Sequence, residues 1–560
     1  MAKVNVRTGT RFRPDRADQQ FDVIVVGSGI GGLANAAFLS LLGYKVAVLE
    51  QHYTAGGFTH AYHRNGYEWD VGVYYIGEVH KPSTLRRVFD VISEGRLEWA
   101  EMQPEYDRII LGDEEYGFVA GRDNFAAMLK ERFPDEASVI DDYIELIRDM
   151  SRKTPKFFAG QAMPPWLARA YNLVRPLLVP KQFFQTTREV LESMTSNQQL
   201  ISVLTGQWGD YGQAPADAAF IMHALIAKHY LAGGAYPVGG SSDIARSIIP
   251  TIQRSGGDVF TYASVDEILI KDNKAYGVKL KGGHELYADR IVSNAGFYNT
   301  TQKLLPEAMQ KKLGVEKWQQ QVQLSSSHLC IYAGFKGTAE ELGINTTNLW
   351  IYPDGHHEQN LQRFKQDPTS DFPIVYVSFP SAKDPDWNNR YPGKSTVEIV
   401  TMANYDWFEQ WKDKTWGQRG ADYEALKESF SRRLLEILFQ RMPQLRDALD
   451  YYELSSPLST DWFQDANKGE IYGLDHFVDR FKKPFLHPVT PVKGLYMTGA
   501  DVMTAGVGGA LMAGLMTTCA MQGRKAREVL KLLKNYRSTP SEPQPSEPQP
   551  SEPQAAVEQP

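Results

Sequence analysis

Hydrophobic positions between Phe21 and Glu50 fall into an ordered set of blocks. Val23 to Val26 is an unbroken apolar run, the pattern of a short strand covered on both faces. Gly27, Gly29, Gly31 and Gly32 follow at once, and an apolar, alanine-rich stretch of helical length comes next. A second apolar run, Val46 to Leu49, ends on the acid Glu50. Strand, glycines, helix, strand and acid in that order predict a βαβ unit of the dinucleotide-binding type. Gly27 permits the tight turn, Gly29 lets a pyrophosphate approach the backbone, and Gly32 allows close packing of helix on strand. The helix start offers free N–H groups and a positive dipole end to phosphates. Glu50 is placed to accept hydrogen bonds from a ribose.

Further along, Phe260 to Leu269 and Ala275 to Leu280 alternate with period two and are expected as strands, with Gly282-Gly283 as a hairpin turn. Arg290 to Gly296 is a strand running into small residues. Asp243 to Arg254 and Ala421 to Gln440 carry helical patterning. Gly494 to Leu533 reads as strand, glycine loop and long helix. Pieces from the beginning, middle and end therefore belong to one nucleotide-binding lobe: 21–100, 236–300 and 481–536. Residues 101–235, rich in helix formers and aromatics, are expected to form a helical substrate lobe that also meets a membrane. Residues 301–480 mix strand-like runs (Leu349 to Tyr352, Ile374 to Phe379, Thr396 to Met402) with helices, as in a sheet roofing a pocket. Residues 1–20 read as a polar arm. The proline- and glutamate-rich repeat at 537–560 has nothing to bury and reads as a disordered tail. The fold class is α/β: a Rossmann-like lobe of the glutathione-reductase or amine-oxidase type with an inserted α+β substrate lobe.

Composition changes this picture little. A net charge of −7 argues against a nucleic-acid partner. The two cysteines, Cys330 and Cys519, are too few and too far apart for a disulfide framework or a zinc motif. No secretory signal precedes Phe21, and no apolar run reaches the ~18 residues that span a bilayer. The expected location is cytoplasmic, or peripheral on the cytoplasmic face of a membrane.

Gly56-Gly57 lies just beyond Glu50, where backbone N–H groups can approach a second face of the phosphates. At the other end, Gly499-Ala500-Asp501 closes a strand, and Gly506, Gly508 and Gly509 open the last helix. An acid at a strand end suits the ribityl hydroxyls of a flavin, and the following helix start suits the charge that develops on flavin reduction. Together with Trp69-Asp70-Val71-Gly72, Gly206-Gln-Trp-Gly-Asp-Tyr-Gly212, Gly233-Gly-Ala-Tyr-Pro-Val-Gly-Gly240 and Ser293-Asn-Ala-Gly296, these motifs resemble the FAD-dependent phytoene desaturase superfamily, within it the carotenoid isomerase and retinol saturase branch. The resemblance covers roughly residues 21 to 530. It implies one noncovalent FAD in extended form, Val265 holding the adenine through its backbone, Ala295 among the later FAD contacts, and chemistry on carbon–carbon bonds of a polyene lipid: saturation, desaturation or redox-neutral cis–trans isomerisation. No second glycine unit is present, so the electron donor or acceptor is expected to be external.

Such chemistry asks the protein for a dry apolar slot, orientation and one acid. The candidates for the acid are His223, His229, Tyr230 and His476. His223 and His229 are six apart, so on a helix they point in different directions. Tyr236 and the aromatics Trp166, Phe183, Phe184, Trp208, Tyr211 and Phe220 are candidates to line the slot. His52, His60 and His63 carry no metal-ligand motif, and no metal is expected. Met163 to Lys181 has no acids: Trp166, Leu167, Tyr171, Leu173, Val174, Leu177 and Leu178 could enter a headgroup layer, with Arg169, Arg175 and Lys181 meeting anionic lipid. Peripheral membrane contact is therefore expected over about 163–184. Two alternatives stand beside this reading. One is a flavin amine oxidase, against which the aromatic-free loop Thr504 to Ala510 speaks. The other is a flavin-bearing lipid-binding protein without turnover.

Overall fold

In the computed structural model the described residues are 6–17 and 19–536; the repeat at 537–560 lies outside them. A six-stranded sheet, parallel throughout, runs in spatial order Thr10–Arg11, Asp258–Thr261, Val46–Leu49, Val23–Val26, Arg290–Ser293, Leu495–Met497. Its neighbours come from all parts of the chain, because each apolar run must be covered on both faces and only crossovers supply the cover. The residues of the two central strands, Val23–Val26 and Val46–Leu49, are all buried. The helix Ile30–Leu41 packs on this sheet, and the late helix Gly506–Gln522 packs on that helix. The crossing is close because it is built from small residues: a Cβ on Gly514 would lie 2.6 Å from the Gly31 carbonyl oxygen and 2.7 Å from the Ala34 Cβ.

The expected strand Phe260 to Leu269 is two strands. Asp258–Thr261 stays in the parallel sheet, and Val265–Lys271 starts a separate three-stranded meander with Lys274–Leu280 and Glu285–Tyr287. The break falls where Tyr262 takes a φ of 56° and redirects the chain. Period-two patterning cannot reveal such a corner, because alternation continues through it. The start of the chain is not a free arm either: Val6 and Thr8 are buried, and Thr10 and Arg11 pair with Phe260 and Thr261.

The second lobe is a seven-stranded, mainly antiparallel sheet ordered Leu449–Ser455, Ser327–Lys336, Lys394–Ala403, Val375–Ser378, Asn348–Tyr352, Glu105–Leu111, Glu114–Val119. Alternate residues go to opposite faces. Tyr376 and Met402 join the core formed with the helices Ala137–Phe158 and Phe220–Tyr230. Val377 and Ile399 join the core under the helix Ala421–Arg441. The sheet thus roofs a cavity that opens against the nucleotide-binding lobe.

Candidate active site

A cavity of about 550 Å³ lies between the lobes, within the usual range of cofactor sites (roughly 300–1,000 Å³). Gly27, Gly29, Gly31, Gly56 and Gly57 form one part of its wall. Glu50 and Val265 contribute a second part, Ala295, Gly499 and Asp501 a third. Gly32, Gly508 and Gly509 are not on the wall. A Cβ on Gly32 would sit 2.3 Å from the Gly27 carbonyl oxygen, and one on Gly509 would sit 2.3 Å from that of Thr504. These two glycines let helices pack against the loops before them. Gly508 faces Leu85.

Four segments converge on the glycine loop. A Cβ on Gly31 would meet Asn294 Oδ1 and Gly499 Cα, each at 2.8 Å, and one on Gly57 would meet Gly29 Cα at 2.9 Å. Asn294, which the expected Ser293–Gly296 motif contains without a role of its own, is thus the wedge between the first and last glycine motifs. Glu50 braces the cradle: its carboxylate accepts from Ser28 N–H (2.9 Å), Ser28 Oγ and His52 N–H (2.8 Å). Ser28 Oγ in turn accepts from Gly56 N–H at 3.0 Å, which ties the two glycine loops together. No side chain caps the helix Ile30–Leu41 or the helix Gly506–Gln522, so their first N–H groups are left for a ligand. Asp501 accepts from Phe297 N–H at 2.6 Å and Leu474 N–H at 2.8 Å, which fixes its carboxylate on the wall.

The remaining wall was not legible in the sequence. Tyr74, His328, Val400, Glu470 and Tyr472 all line the cavity. Burial pushes the Glu470 carboxyl up to about 8, aided by the nearby Asp501 carboxylate, so this acid is protonated at neutral pH. Burial brings His328 down to about 4, and its Nδ1 has no hydrogen-bond partner. Behind Tyr74 lies a buried polar cluster in which Lys383 donates to the Tyr74 carbonyl at 3.0 Å and to Ser378 Oγ at 2.7 Å. His328 sits on a strand buried on both faces, where alternation gives no clue, and Glu470 forms an isolated antiparallel bridge with Ser327 outside any regular strand.

The four acid candidates lie off this wall. His223 Nε2 is 2.9 Å from the Tyr143 hydroxyl, and burial lowers its pKa to about 3. His229 Nε2 accepts from Gly77 N–H at 2.8 Å, and burial lowers it to about 3 as well. Tyr230 stacks on Tyr75 at 4.2 Å between ring centres. His476 Nε2 accepts the N–H of Ala505 at 2.9 Å, just before the last helix. Trp208, Phe183 and Phe220 are wholly buried core, and neither Tyr236, which bonds Asp70, nor the other expected aromatics line the cavity. Among the described residues no His, Cys, Asp and Glu cluster is arranged to hold a metal, and no helix is long and apolar enough to cross a membrane.

A parallel sheet with a glycine cradle at its strand ends, a braced acid and two uncapped helix starts defines a flavin-dependent oxidoreductase of the amine-oxidase fold. The chain belongs to the flavin-containing amine oxidoreductase family, which it matches over residues 30–522. It is 37% identical to an all-trans-retinol 13,14-reductase of Danio rerio over 91% of this chain and 86% of that protein. It is 26% identical to a chloroplastic prolycopene isomerase of Arabidopsis thaliana over 87% of this chain and 80% of that one. Among solved structures it is similar to an oxidoreductase from Methanosarcina mazei, with a TM-score of 0.60 at 18% identity, covering 88% of this chain and 98% of the other. Its cofactor is FAD. The residues present fit the group, since the open cradle exists only because Gly29, Gly31, Gly57 and Gly499 lack a Cβ.

Proposed function

We propose that this protein moves hydrogen on carbon–carbon double bonds of a polyene lipid of retinoid or carotenoid type. The observation that carries the reading is the single cavity that joins the glycine cradle to a largely apolar wall under the second sheet. The two named relatives, an all-trans-retinol reductase and a prolycopene isomerase, support the substrate class. When bound, FAD supplies hydride exchange with carbon. The chain's own share is to bind, to exclude water and to hold a proton.

For that proton the geometry favours Glu470 over the four residues expected from the sequence, because it is on the cavity wall and keeps its proton at neutral pH. His328, with its unpaired Nδ1 on the same wall, is placed to receive a polar end of the substrate. Gly27, Gly29, Gly31, Gly56 and Gly57 would hold the diphosphate, Glu50 and Val265 the adenosine, and Ala295, Gly499 and Asp501 the flavin side. The external electron partner belongs to the same proposal.

Delivery of an insoluble substrate calls for membrane contact, and the segment from Trp166 to Leu178 supports it. Trp166 is 72% exposed, Leu173 83% and Leu177 86%, a cluster of large apolar side chains rare on a surface bathed only by water. The deciding assay incubates FAD-loaded protein anaerobically, with and without dithionite, with retinol, lycopene isomers and an amine panel. A product heavier by two hydrogens, or one of unchanged mass and altered geometry, is the expected result. Turnover of amines alone, or of nothing, overturns the reading.

A further inference from the structure

A second cavity, of about 250 Å³, lies between the helix Pro165–Val174 and the segment Lys483 to Pro491. We propose that it binds one anionic amphiphile, an apolar chain ending in a phosphate or carboxylate. The membrane contact proposed above enters only as the route by which the ligand arrives.

Arg175 was expected at the lipid surface; the structure buries it to 7% exposure and places it on this cavity's wall. Among the described residues it has no carboxylate partner. Its guanidinium donates to the Phe481 carbonyl at 2.7 Å and only at 3.4 Å to that of Phe157, and its Nε has no partner. Its charge lies 4.5 Å over the Phe157 ring. A buried cation this poorly paired is costly without an anion to complete it.

The surroundings keep the positive sign. Exposed Arg169 and half-buried Lys483 line the same cavity, and neither forms an ion pair among the described residues. Arg480, also on the wall, is taken up by carbonyls and by His476. The carboxylate that faces them, Asp501, already accepts two backbone N–H groups. The rest of the wall includes Phe157, Phe158, Trp318 and Phe485. An anion alone would not want these rings, and a neutral hydrocarbon would not want the arginine.

The helix sets the direction of the chain. Pro165, Ala168, Arg169 and Asn172, spaced three, four and seven apart, turn one face to the cavity. Trp166 and Leu173, seven apart, turn another face outward, and Leu177 continues that stripe. The cavity and the exposed apolar patch thus occupy two faces of the same helix, with Arg175 just beyond its end.

The test titrates FAD-loaded protein with dodecyl phosphate below its micelle concentration and, separately, with inorganic phosphate, reading binding by calorimetry. Expected are saturable one-to-one binding of dodecyl phosphate and binding of inorganic phosphate at least about tenfold weaker. Arg175→Gln, and the surface double variant Arg169→Gln with Lys483→Gln, should each weaken dodecyl phosphate about tenfold, the loss of a charge-assisted hydrogen bond. The double variant alters one exposed and one half-buried side chain, neither of them in an ion pair among the described residues, so it decides the matter if Arg175→Gln does not fold. Absence of saturable binding, equal binding of inorganic phosphate, or full affinity in the variants overturns the proposal. Flotation on neutral phosphatidylcholine vesicles, with Trp166, Leu173 and Leu177 changed to serine, reports on membrane contact independently.

Discussion

Replacing Gly57 by alanine separates a phosphate cradle from an ordinary glycine turn. Gly57 has a φ of 56°, and a Cβ there would stand 2.9 Å from Gly29 Cα, a backbone atom that cannot swing aside. The left-handed conformation costs alanine about 1–2 kcal/mol, and overpacking adds about 1–3 kcal/mol. The total, about 2–5 kcal/mol, must appear somewhere. If the loop stays in place, it appears as lost stability of the FAD-free protein. If the two glycine loops move apart, it appears in the FAD dissociation constant, which each ~1.4 kcal/mol raises tenfold. Gly282→Ala is the control, because Gly282 also has a positive φ, 101°, with nothing within 4 Å of an added Cβ. The assay is FAD titration by flavin fluorescence together with thermal unfolding of the free and loaded forms. If Gly57→Ala matches Gly282→Ala in both measurements, the two loops do not jointly hold the cofactor and the argument for the cradle fails.

Four further outcomes are expected. Glu470→Gln should lower turnover of a polyene by ~10²-fold or more and abolish the limb of the pH–rate profile near 8, while leaving flavin absorbance intact. The same variant tests linkage: Glu470 holds its proton up to about 8 when folded, against 4.5 ordinarily, so its stabilisation is complete at low pH and fades as pH climbs through that interval, and pH-dependent unfolding of the variant should lack this decline. His328→Phe should weaken binding of a hydroxylated polyene about tenfold relative to a hydrocarbon polyene, the loss of one buried hydrogen bond; equal loss for both would assign His328 to packing. Arg390→Ala should cost about 3–5 kcal/mol in denaturant unfolding, because Arg390 bonds Glu68 at 2.7 Å and also Asp384, whose side chains are 3% and 1% exposed; a change under about 1 kcal/mol would mean the carboxylates simply take up protons.

Legibility in the sequence followed the range of the interaction. The βαβ start was readable because Gly27, Gly29 and Gly32 each answer a local backbone demand and the flanking apolar runs are uninterrupted. The helix at 243–254 and the three strands named in the second lobe also appear, each within a residue or two of the expected bounds. The corner at Tyr262 and the buried Arg175 were not readable, because both depend on what packs against them. Chemistry in the cavity suffered most. The four acid candidates stood out as titratable groups near motifs, yet their partners, Tyr143, Gly77, Tyr75 and Ala505, come from remote segments. His328 stood near no motif, and Glu470 lies three residues before Gly473-Leu-Asp-His476, a pattern that drew attention to its histidine instead.

The parallel sheet interleaves strands whose positions in the chain are more than four hundred residues apart, with Leu495–Met497 at one edge beside Arg290–Ser293. During synthesis the cradle therefore cannot close until the ribosome has passed Asp501. Val23–Val26 and Val46–Leu49 can pair with each other at once but gain their outer neighbours only when Arg290–Ser293 and Asp258–Thr261 emerge, and such long-range pairing forms slowly. Flavin capture therefore waits on a late segment, since Gly499 and Asp501 supply the last part of the cavity wall.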